Sequence, residues 1–107
     1  MDLTVIQKDH KIEISDSGFN PSIINVNPED RIWFVWTDTK KSHNIRQVTH
    51  QDQFIKNGFL SGALMEPPGA YMHTFTEQGI FYYHSDGLKN CIGAVVVVPE
   101  PTVSIII

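Results

Sequence analysis

Short runs of β-branched and aromatic residues, four to eight long and bounded by Gly, Pro, Asn or Asp, recur along most of this chain. No window of 11 or more residues holds apolar side chains at the three-and-four spacing of an amphipathic helix, so the pattern predicts strands. They are expected over residues 3–7, 11–15, 22–26, 31–37, 43–48, 70–76, 80–85 and 92–98. Turns are expected at 8–10, 27–30, 66–69 and 77–79, where Gly, Pro, Asn and Asp gather. In the fourth run Ile32, Phe34 and Trp36 share one face while Trp33 and Val35 share the other, which predicts a central strand buried on both sides. Residues 51–64, polar to mixed, read as loop with room for a short helical turn. Eight short strands at this spacing indicate an all-β sandwich or barrel.

The chain has 107 residues, the size of one domain with one core, and its 41% hydrophobic and 19% charged content suits an ordinary globular fold. We read residues 1–107 as that single domain. Twelve acidic residues against eight basic ones argue against a nucleic-acid surface, which wants clustered Lys and Arg. The longest uninterrupted apolar stretch, 94–98, is far short of the roughly 20 residues of a membrane-spanning helix, so no membrane insertion is expected. The start, Met-Asp-Leu-Thr, lacks the basic and then apolar order of a secretory signal. A lone cysteine, Cys91, excludes an internal disulfide. The end, Pro99-Glu-Pro-Thr-Val-Ser-Ile-Ile-Ile107, carries exposed-looking β-branched residues and suggests a domain taken from a longer chain.

Three segments, in order, resemble the cupredoxin family, its amicyanin, pseudoazurin and plastocyanin-like members in particular. The first is Gly18-Phe-Asn-Pro-Ser-Ile-Ile-Asn-Val26 followed by Glu29-Asp-Arg-Ile-Trp-Phe34, with Glu29 where the family has glycine. The second is Ser42-His43-Asn44-Ile45, similar to Pro-His-Asn-Val, whose histidine is the upstream copper ligand in the family. The third runs from Gly69 through Ile80-Phe-Tyr-Tyr-His-Ser85 to Cys91-Ile-Gly-Ala-Val-Val-Val97 and resembles the closing hairpin that carries the other three ligands. The resemblance spans nearly the whole chain and implies a Greek-key β-sandwich of about eight strands.

A blue-copper centre needs two imidazoles and a thiolate around the metal, with a weak axial ligand. In the family the cysteine stands six residues after the hairpin glycine, which from Gly79 leads to Ser85. The shortest family loops place histidine three residues later and methionine three later again. Those positions hold Leu88 and Cys91, and Gly93 falls where the family glycine falls. Of four ligand positions only His43 keeps its residue. Serine supplies a hard, normally protonated oxygen and leucine no donor at all, so the resemblance implies the fold of a copper protein with a degenerate site.

His43 reads either as a relic ligand or as a hydrogen-bonded structural histidine. Cys91 reads as a small buried hydrophobe or, beside His43, as a reactive or metal-binding thiol. The pair His43 and Cys91 would supply the metal ligands if Cu(I) or Zn(II) bound, with Ser85 and Leu88 as vestigial positions; no cofactor is otherwise expected. His84 alternates with Ser85 and should point the other way. His10, His50 and His73 lie on separate segments without the close spacing of a zinc site. Ser85, His43 and an acid such as Asp86 can be written as a hydrolytic triad, but no nucleophile elbow or oxyanion loop surrounds Ser85, and an enzyme is not expected. Phe59, Leu60 and Met65 are either loop anchors or parts of an exposed patch.

These readings imply a non-catalytic structural or protein-recognition module, in the manner of copper-less relatives such as the ephrins. Its working surfaces would be the loops 37–42 and 51–68, its partner another domain or protein. The resemblance also implies an extracellular or periplasmic location. The rival reading is a metal-binding domain using His43 and Cys91.

Overall fold

The computed structural model describes residues 7–99, which fold into two packed four-stranded sheets. One sheet contains β1 (Asp9–Ser15), β2 (Gly18–Asn20), β4 (Arg31–Trp36) and β6 (Gly69–Thr74), in the order β2-β1-β4-β6. The other contains β3 (Ile23–Val26), β5 (Arg46–Val48), β7 (Gly79–His84) and β8 (Gly93–Val97), in the order β3-β8-β7-β5. Strand β1 runs parallel to β4 and β3 parallel to β8, while the remaining pairs are antiparallel. The all-β sandwich expected from the sequence is the fold observed.

Alternation drives the packing. Ile12 and Ile14 of β1, Ile32, Phe34 and Trp36 of β4, and Tyr83, Val95 and Val97 of the facing sheet are buried in one core. Tyr83 is the hub: its ring meets Phe34 edge-on at 5.0 Å and Phe19 at 4.8 Å. Each such pair adds about 1 kcal/mol beyond the area it buries. Gly93 faces Tyr83 across the β7–β8 ladder, and a Cβ there would fall 2.2 Å from the ring. Only glycine lets β8 pass this close.

Several expected boundaries shift. Residues 8–10 were expected as a turn, but Asp9 and His10 extend β1 because they pair with Arg31 and Ile32 of β4. Strand β2 was not expected, and it forms because Phe19 pairs with Ile14 and enters the core. The run 43–48 shrinks to β5, since the main chain of His43 bonds Met65 and that of Ile45 bonds Ser61, both in the long connection. That connection contains no helix and is held by isolated bridges, such as Val48 to Phe54. Strand β4 is central in its sheet yet buried on one face only. Two layers leave each sheet an outer face, and Trp33 is 41% exposed there. Residues 3–6 of the first expected strand and 100–107 of the tail lie outside the described residues.

Candidate functional site

Of the four positions singled out in the sequence, His43 and Ser85 meet at the end of the sandwich where β4 and β7 finish, while Leu88 and Cys91 each pack against the core. Ser85 directly follows β7 and is fully buried, as is His43. The Ser85 Oγ lies 2.9 Å from His43 Nδ1 and accepts hydrogen bonds from the main-chain N–H groups of Asn44 (3.3 Å) and Gly87 (3.1 Å). The other imidazole nitrogen, Nε2, lies 3.1 Å from Asp16 Oδ1. Asp16 is itself held by the main-chain amides of Lys40 and Lys41. The Lys40 amide does most to hold its carboxyl below the ordinary range; partial burial pushes the other way, and His43 adds to the lowering.

These contacts fix the proton positions. An ionised Asp16 only accepts, so His43 Nε2 carries a hydrogen. Two amides already point at Ser85 Oγ, leaving its own proton to donate to Nδ1. The Ser85 hydroxyl is thereby fully used.

Gly87 closes the cluster from the loop side. A Cβ on it would fall 2.3 Å from the Ser42 carbonyl oxygen and 2.8 Å from His43 Nδ1. The loop main chain therefore packs directly on the imidazole. Leu88 donates its amide to the Ser85 carbonyl and rests partly buried against the core. Cys91 is also partly buried against the core, its Sγ 3.5 Å from where a Cβ on Gly18 would stand. Burial raises the Tyr83 phenol above its ordinary range, and the nearby Cys91 adds to this. Its Oη has no hydrogen-bond partner among the described residues.

His84 points away from Ser85, as alternation requires. Its Nδ1 lies 2.6 Å from Asp52 and its Nε2 2.8 Å from Asp86. Asp86 thus serves His84, and also Asn44 and Arg46, so the acid beside His43 is Asp16, which no local pattern of residues singles out. Burial pushes the Asp86 carboxyl up, but its bonds to Asn44 and His84 and the Arg46 charge outweigh this and leave it lowered. Asn44, also missed, fastens two loops: its side chain bonds the Gly62 carbonyl, the Asp86 carboxylate and the Asp86 amide.

His10 pairs with Asp30, and His73 packs among Phe59, Tyr71 and Phe75. Among the described residues no group of three or more His, Cys, Asp or Glu side chains is arranged to hold a metal ion. No helix among them is long and apolar enough to cross a membrane.

Around this end the long connection exposes apolar side chains. Phe54 is 64% exposed, with the Arg46 guanidinium 4.3 Å from its ring centroid, and Leu60, Leu64 and Met65 are exposed too. Phe59 is the exception, packed against the core as an anchor.

No protein-family profile matches the chain, and no curated protein matches it in sequence. Solved structures do. A purple cupredoxin from Nitrosopumilus maritimus superposes with a TM-score of 0.73 at 18% identity, covering 82% of this chain and 98% of that one. A reduced amicyanin variant gives 0.67 at 24% identity, covering 83% and 81%. A pseudoazurin from Sinorhizobium gives 0.63 at 20%, covering 89% and 77%. The two sheets, their strand order and these superpositions establish that the chain has the cupredoxin fold.

Proposed function

We propose that this chain is a cupredoxin-like recognition or structural module that does not transfer electrons through a copper ion. The observation carrying this reading is the closed hydrogen-bond set around Ser85. At the position where the fold family supplies a thiolate stands a buried hydroxyl whose lone pairs take two main-chain amides and whose proton goes to His43 Nδ1. With Leu88 as an apolar neighbour, this set does not fit a type 1 copper ion, which needs a soft thiolate and two free imidazole nitrogens. The same closure argues against catalysis, because Ser85 is fully buried and has no lone pair left to attack a substrate.

Function then moves to surfaces. The exposed Phe54, Leu60, Leu64 and Met65 lie in the connection 49–68 and suit an apolar contact with another protein or a neighbouring domain. We place the module outside the cell or in the periplasm, on the resemblance alone.

The test is a titration of purified protein with Cu(II), Cu(I) and Zn(II), followed by visible absorption and by the melting temperature. The expected result is no thiolate-to-copper band and no rise in Tm, since a ligand of the native state raises it. A blue-copper band overturns the reading. A rise in Tm that Cys91→Ser removes transfers the function to the metal-binding alternative through His43 and Cys91.

A further inference from the structure

The outer face of the β2-β1-β4-β6 sheet holds a groove of about 410 Å³, which reaches the start of the loop 37–42. That volume lies within the range of about 300–1,000 Å³ usual for small-molecule sites. The register places Asn20, Glu13 and Val35 side by side across β2, β1 and β4, and Ser15, Thr37 and Asp38 complete the lining. One rung along, Lys11, Trp33 and Met72 form the next row. Strand alternation sets Trp33 on the same face as Val35, roughly 7 Å away.

The indole is fixed in place rather than loose. Its Nε1–H donates to Asp9 Oδ1 at 3.3 Å, and Asp9 is held by Arg31 through bonds of 2.6 and 2.9 Å. Much of the ring nevertheless remains exposed. Charge on this face is largely cancelled: Lys11 pairs with Glu13 at 2.9 Å and Arg31 with Asp9, leaving the Asp38 carboxylate. The side chains of Asn20, Thr37 and Asp38 make no hydrogen bond among the described residues, so their donors and acceptors are free for a ligand.

A pre-positioned aromatic ring beside a groove of unpaired amide, hydroxyl and carboxylate groups suits a ligand with one apolar C–H face and a rim of hydroxyls. We propose that this groove binds a neutral oligosaccharide, one sugar ring stacking on Trp33 and its neighbour bonding Asn20, Thr37 and Asp38. Phosphorylated or sulfated ligands are disfavoured because the unpaired charge is negative and the chain carries a net charge of −4. An extended peptide is disfavoured because the groove lies over β1, whose two edges are already paired with β2 and β4.

The experiment is an amide- and indole-resolved NMR titration of the intact chain with cellohexaose, mannohexaose and chitohexaose, and with a heparin hexasaccharide as the anionic comparison. Saturable shifts of the Trp33 indole and the Glu13, Asn20 and Val35 amides are expected with at least one neutral sugar and none with heparin. Trp33→Ala should weaken that binding about tenfold, in line with a lost aromatic stacking contact. Asn20→Ala, on an exposed position, should weaken it while leaving the rest of the spectrum unchanged. Failure of all three neutral sugars to saturate, binding of heparin at this groove, or shifts confined to Phe54 and Met65 overturns the proposal.

Discussion

Strand β4 runs between two buried polar clusters, and each holds a histidine, yet they are built around opposite chemistry. At its start Asp30 is the centre, buried and accepting from the main-chain amides of Lys8 and Asn27 and from His10 Nε2. Near its end Ser85 is the centre, accepting two amides and donating to His43. The centre of one end is a charge and that of the other a neutral hydroxyl, with the Asp16 carboxylate on the far side of the imidazole. A buried carboxylate is costly unless fully bonded, so the first end depends on its ionisation, whereas the second depends on geometry.

The largest expected effect is at the charged end. Asp30→Ala removes the buried acceptor of three hydrogen bonds and should cost about 3 kcal/mol in urea denaturation at neutral pH. Burial alone pushes the Asp30 carboxyl up, but the bonds from His10, Asn27 and Lys8 win and hold it below its ordinary range. The folded state therefore sheds this proton more readily than the unfolded one. The stability it brings is present above about pH 3.9 and is lost as the pH falls through the lower folded value. Asp30→Asn should make that acid limb shallower, leaving the part owed to Asp16 and Asp86, and an unchanged limb would remove Asp30 as a source.

At the neutral end Ser85→Ala strands the Asn44 and Gly87 amides and should cost about 2 kcal/mol by the same measurement. A loss equal to that of Asp30→Ala would mean that charge does not distinguish the two ends. The smallest effect belongs to Glu29, beside Asp30, whose φ of 76° lies in the left-handed region that favours glycine. Relieving the strain is worth about 1–2 kcal/mol, while glycine loosens the unfolded chain by about 0.4–1 kcal/mol. Glu29→Gly should thus stabilise by a little under 1 kcal/mol, and a decrease in stability would show that the Glu29 side chain contributes more than its backbone costs.

What was legible in the sequence follows from the range of the forces involved. Seven of the eight strands are visible because alternation and turn residues are local. Strand β2 is not, since Gly18-Phe-Asn20 becomes a strand only by pairing with β1. The exposure of Trp33 is equally hidden, because alternation says which residues share a face and not how many layers cover it. Counting from Gly79 points to Ser85, and the fold sets that residue directly after β7 and against His43. Asp16 lies 27 residues from His43, and only the fold brings it there.

Gly87 marks where the loop and the imidazole leave each other no spare room. The loop main chain rests on His43, and even a methyl group at residue 87 would collide with Ser42. Side-chain substitutions at 85, 88 and 91 are single steps, whereas lifting a main-chain segment off an imidazole is a concerted one. The loop therefore acts as a stopper: a new activity has an easier path on the outer surface of the sandwich than through the space around His43.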